Sequence, residues 1–113
     1  MPFIDVKTNV AVSDEKKEQL KSALGLAITA IPGKSESWLM VGVEPEYNLW
    51  FKGNSAPAAM VQVQIFGGAS DNALTTLTSH ITGSLTDILG ISSDRVYVSY
   101  WSTENWGWNG SNF

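Results

Sequence analysis

Apolar and polar residues alternate in short runs, broken by two longer stretches with helical spacing. Residues 3–8 and 58–66 are β-rich runs. Between 14 and 31, Leu20, Ala23, Leu24, Ala27, Ile28 and Ile31 recur at three- and four-residue steps. That spacing predicts a helix with one apolar face. Ser13 is the expected N-cap, with Asp14 and Glu15 favourable in the first turn. A second helix is predicted over about 71–89, with Leu74, Leu77, Ile81, Leu85 and Ile88 on one side. Gly33 and Gly90 stand where the helices are expected to end, and strands should follow at 38–44 and 95–101.

The pattern repeats. Ser13-Asp14 matches Ser70-Asp71 at an offset of 57 residues, which Val6/Val63, Ile31/Ile88, Gly33/Gly90 and Val41/Val98 share. A fixed offset without gaps predicts two copies of one strand–helix–strand unit, about 2–44 and 58–101, in one domain spanning 1–113. Residues 102–113 form a tail. Within each unit the strands should be parallel, joined by a right-handed crossover.

Strand parity separates two faces. Ile4, Val6, Leu39, Val41, Val61, Val63, Val96 and Val98 share one parity and are expected to meet the helices. The other parity carries Phe3, Asp5, Trp38, Met40, Met60, Gln62, Tyr97, Ser99 and Trp101. That face is too apolar to be simply solvated, and the chain has no third layer to cover it. Association with further copies is the economical solution. Between the units, EPEYNLWFKGNSAPAA predicts a short strand at 48–51 and a turn around Gly53-Asn54. In TENWGWNGSNF, Trp106 and Trp108 flank Gly107 ahead of an Asn-Gly turn signal, so a short ribbon is expected.

Composition narrows the possibilities. With 43% apolar and 16% charged residues the chain is not a disordered one. A net charge of −4 without any Lys/Arg cluster argues against nucleic acid. The absence of cysteine excludes thiol catalysis and zinc-thiolate sites. No secretory signal and no membrane-length apolar run is visible, so a cytoplasmic protein is expected, with any export by an unconventional route. His80, the single histidine, has no visible partner and reads as structural or half-exposed. Asp71 and Asp94 read as cap or turn residues, and no metal site or cofactor motif is apparent.

Pro2 admits two readings. It can open a strand, since proline donates no backbone hydrogen bond there. Alternatively, removal of Met1 would leave it as the N-terminus, a secondary amine on a rigid ring.

Pro2 opening a strand, the two-fold repeat, Gly33-Lys34, DRVYVSY and the ending GWNGSNF together resemble the macrophage migration inhibitory factor and D-dopachrome tautomerase family, of the tautomerase superfamily. The resemblance spans essentially the whole chain. It implies an α+β fold, α/β-like in its crossovers. Two pseudo-symmetric βαβ units would form a four-stranded mixed sheet with two helices on one face and short edge strands. It also implies a homotrimer whose sheets wrap a central channel. The implied activity is keto–enol tautomerisation of small carboxylate substrates, phenylpyruvate-type acids or dopachrome derivatives. Pro2 would be the general base, its pKa lowered by an apolar pocket.

The resemblance implies further roles. Lys34 would bind the substrate carboxylate, where otherwise it reads as a solvated cation after a helix. The backbone N–H of Phe66 would assist, where otherwise Phe66 is a packed strand end. Tyr97 would line the pocket across a subunit interface, where otherwise it is a buried phenol. Phe3, Trp38, Phe66, Trp106, Trp108 and Phe113 would make the surroundings apolar. The chain departs from the family at Ser99, where an asparagine is frequent, which weakens the expectation for hydroxyphenyl substrates. Ala58-Ala59-Met60-Val61 replaces a CxxC motif found in some members, so thiol–disulfide activity is excluded. Trp38 and Trp106 are bulkier than is usual and would narrow the mouth. A signalling ligand for a protein receptor, with weak or vestigial activity, is the alternative function.

Overall fold

A computed structural model of the chain describes residues 1–112. Strand β1 (Pro2–Thr8) is followed by helix α1 (Asp14–Ala27), strands β2 (Met40–Glu44) and β3 (Ala59–Phe66), helix α2 (Asp71–Leu89) and strand β4 (Val96–Thr103). The sheet order is β2-β1-β3-β4. The outer pairs are parallel, and the central pair β1–β3 is antiparallel. The expected mixed sheet is therefore present. The register carries the repeat: Phe3 faces Met40 as Met60 faces Tyr97, with both members displaced by 57 residues.

Each helix begins as its sequence directs. The Ser13 hydroxyl accepts from the Lys16 N–H, and Ser70 accepts from Ala73. They differ at their ends. Helix α2 runs to a left-handed Gly90, φ 70°. Helix α1 stops at Ala27, short of the expected residue 31, and tightens into a 3-10 turn at Ile28–Ala30. Pro32 explains this: it drives Ile31 into extended backbone (φ −92°, ψ 116°), and α-helix cannot continue through that residue. Gly33 thus lies in a left-handed turn beyond the helix, φ 83°.

Ile4, Val6, Val61, Val63 and Ile65 are fully buried against Leu20, Leu24 and Ile28 of one helical segment and Leu77, Ile81 and Leu85 of α2. Val41, Val96 and Val98 on the outer strands, and Leu39 just before β2, pack against this core while partly exposed. The opposite face has no covering layer: Met40 is 68%, Tyr97 60% and Trp101 63% exposed.

Two local expectations are corrected. Residues 48–51 are not a strand. Glu46 and Tyr47 donate backbone hydrogen bonds to Val10 and Thr8, and the Leu49 carbonyl accepts from the Asn9 side chain. The only ladder pairing in this segment is Phe51 with Asn54, closed by Lys52 and Gly53 at φ 53° and 75°. Two successive positive φ values are those of a tight primed turn. Trp38 is not on a strand either, but in a 3-10 turn at Glu36–Trp38 just before β2. The tail ribbon does form, as β5 (Gly107–Trp108) and β6 (Ser111–Asn112) around Asn109-Gly110. Strand β4 extends to Thr103, two residues past the expected end. Among the described residues, no helix is long and apolar enough to cross a membrane.

Candidate active site

The start of β1 lies at one end of the sheet, where Pro2 pairs with Ile65 and Phe3 with Met40. A cavity of about 340 Å³ opens there, lined by Met1, Pro2, Trp38, Met40, Trp106 and Trp108 among others. Pro2 is buried, and Trp106 half-buried. Trp38 and Trp108 stand half-exposed at the rim, their rings meeting edge to face. The ribbon β5–β6 brings Trp108 to this rim, so the Asn-Gly turn has a direct role in building it.

Lys34 reaches the same end of the sheet from the turn after the 3-10 segment. Its ammonium donates to the Phe66 carbonyl at 3.1 Å. The Phe66 N–H donates to the Met1 carbonyl, also at 3.1 Å. The Met1 ammonium is held below its ordinary pKa of 8.0, first by burial and then by the charge and hydrogen bonding of Lys34. An amine at this place therefore loses its proton more readily than one in water. Asp5, in contrast, is paired with Lys7 at 2.8 Å further along β1.

Pro2, Lys34, Phe66, Trp38, Trp106 and Trp108 thus converge. Tyr97 and Ser99 do not. Tyr97 is beside Met60, which pairs with Lys7, near the far end of β1. The five residue steps from Met60 to Ile65 correspond to roughly 17 Å of strand at about 3.3 Å per residue. Tyr97 is exposed, which removes the buried-phenol reading. Phe113 lies outside the described residues. His80 is exposed and lines a cleft between the helices with Leu26 and Thr76, away from this site. Asp71 opens α2, and Asp94 accepts from the Ser92 hydroxyl, as turn residues do.

Ser37, Leu39 and Met40 also line the cavity and were not among the site residues expected from the sequence. A signal for Met40 existed: in a parallel unit the first residues of the two strands become neighbours.

A family model described as macrophage migration inhibitory factor matches residues 1–113. The macrophage migration inhibitory factor of Meriones unguiculatus is 35% identical, over 100% of this chain and 99% of that protein. A homologue from Trichuris trichiura is 31% identical, over 100% of both. The crystal structure of Leishmania major MIF2 superposes with a TM-score of 0.94 at 34% identity, covering 100% of this chain and 97% of that one. The macrophage migration inhibitory factor of Toxoplasma gondii, at 22% identity and a TM-score of 0.91, covers 98% and 99% and shares the fold.

Proposed function

This chain belongs to the macrophage migration inhibitory factor family, within the tautomerase superfamily, and from that premise we propose that it is a phenylpyruvate-type keto–enol tautomerase whose base is Pro2 after loss of Met1. One observation carries the reading. The Met1 carbonyl oxygen occupies the Phe66 N–H, with the Lys34 ammonium hydrogen-bonded to the carbonyl of the same residue, Phe66. A carboxylate oxygen in place of the Met1 carbonyl would meet an N–H donor with a cation close by.

The chemistry follows from the surroundings. In trimmed protein the Pro2 ring nitrogen has a lone pair. Burial and Lys34, which lower the Met1 amine, would act on it in the same direction. A neutral amine near neutral pH can take a proton from the enol and return one to carbon. Tryptophan walls favour a substrate with a flat apolar group. No cofactor enters the cycle.

The active form is proposed to be a homotrimer. Its support is the uncovered sheet face and the distance of Tyr97 from Pro2 within one chain. Tyr97 and Ser99 would serve the pocket of the neighbouring subunit, and Phe113 would complete the rim beyond Trp108. The names of the relatives favour a second reading, a signalling ligand acting on a protein receptor. A keto–enol absorbance assay on trimmed protein separates the two: turnover supports the enzyme, and no turnover with intact folding leaves the signalling reading.

A further inference from the structure

We infer that Phe51 and Arg95 are positioning residues for Tyr97, fixing the phenol that one subunit offers to the Pro2 pocket of the next. This rests on the trimeric tautomerase reading above. The Phe51 and Tyr97 rings meet edge to face, centroids 5.0 Å apart at 77°. The Arg95 guanidinium lies 5.2 Å from the centre of the Phe51 ring. Phe51 thus contacts both a cation and the phenol ring, and Tyr97 leans on it.

The loop carrying Phe51 is fastened from two directions. Arg95 donates through Nε to the Pro57 carbonyl at 2.9 Å and through Nη2 to Ala56 at 3.0 Å and Asn54 at 3.3 Å. Asn9 donates to the carbonyls of Leu49, Ser55 and Ala56 and accepts from the Ala58 N–H. The Phe51–Asn54 pair closes the tip. A surface loop of this length needs no such fastening merely to connect two strands. The arrangement makes sense if its aromatic residue must stay in place. Tyr97 is 60% exposed, so little else in its own chain restricts the ring. Fixing it beforehand removes an ordering cost from substrate binding.

The effect should therefore appear in KM. Phe51→Leu keeps bulk but removes the ring edge, and KM for an aryl-substituted pyruvate is expected to rise roughly three- to tenfold, the scale of one aromatic contact. The value of kcat and the pH at which the base titrates should not move, because Pro2 is untouched. Phe51→Tyr, which keeps the ring, should restore the native KM. Mixed trimers locate the effect. Phe51→Leu chains would be assembled with an excess of native chains carrying an N-terminal extension, which have no base but an intact Phe51. Every working Pro2 then adjoins mostly native Tyr97, and KM should return to the native value.

An unchanged KM in Phe51→Leu overturns the inference, as does a raised KM that mixing fails to lower. If Phe51→Leu does not assemble, Arg95→Lys carries the same expectation, since lysine lacks the fork that grips the carbonyls. An unchanged KM there overturns it equally. Failure of the underlying reading looks different: trimmed native protein would then show no turnover at all, overturning both together.

Discussion

Trp38 and Trp108 meet edge to face with ring centroids 5.1 Å apart and planes at 85°, joining the 3-10 turn before β2 to the ribbon at the end of the chain. Seventy residues separate them in sequence, yet together they form the rim of the cavity over Pro2. Neither ring is supported on all sides, so each depends on the other for its orientation.

Trp108→Ala should widen that rim. Loss of one aromatic pair, about 0.5–1.5 kcal/mol, should weaken aryl substrates by several-fold while small aliphatic keto acids are little affected. Steady-state kinetics on the two substrate types measures this. Equal losses on both would mean that the rim does not contact the aryl group.

Retention of Met1, or any N-terminal extension, should abolish turnover. It makes the Pro2 nitrogen an amide and leaves the Phe66 N–H committed to the preceding carbonyl. Folding should be unchanged, because the pairing of β1 with β2 and β3 does not depend on Met1. Pro2→Gly keeps an amine without the ring and should retain residual activity. Intact mass, circular dichroism and the absorbance assay together check these outcomes; equal rates with and without Met1 would leave Pro2 as a strand opener.

Lys34→Ala should weaken carboxylate substrates more than their esters. It should also move the terminal amine. Lys34 contributes to lowering the Met1 pKa, so its removal should raise that pKa towards 8.0. In trimmed protein the sign is the same: the neutral base would accumulate only at higher pH, and the rising limb of kcat/KM would shift upward. NMR titration of the amine in the untrimmed chain provides a check independent of turnover.

Leu77→Ala tests the other face of the sheet. Leu77 is fully buried between α2 and the strands, so truncation should cost about 2–5 kcal/mol. Urea unfolding should show a lower midpoint. A loss below about 1 kcal/mol would mean that the core collapses around the gap.

Much of this architecture was legible because local signals and burial agree. Ser13 and Ser70 cap their helices, the bounds of α2 fall where its apolar stripe ends, and Asn109-Gly110 makes its turn. The failures occurred where side chains, not the strand ladder, satisfy the backbone. Leu49-Trp50-Phe51 has strand composition, but its segment is held by Asn9, Arg95 and a tight turn. Helix α1 was overextended because its apolar stripe continues through Ile31, while Pro32 acts on geometry rather than hydropathy. The site divided similarly. The family resemblance named Pro2, Lys34 and the tryptophans, and the fold brings them together. Sequence alone could not show that Tyr97 lies near the other end of the sheet from Pro2, because that depends on strand order.

The matched register of the two halves has a consequence for how chemistry can be shared between them. Ala59 occupies the place in β3 that Pro2 occupies in β1, and Met40 the place in β2 that Tyr97 occupies in β4. The two seats are equivalent in strand register, but a polypeptide has one beginning however often a unit recurs within it. The nitrogen of Ala59 is a peptide nitrogen and has no basic lone pair to offer. A reaction that needs the chain's own terminus can therefore use one seat per molecule, and the other escapes that constraint. Its side chains can vary without disturbing the base, which leaves that end of the sheet available to furnish walls for a neighbour.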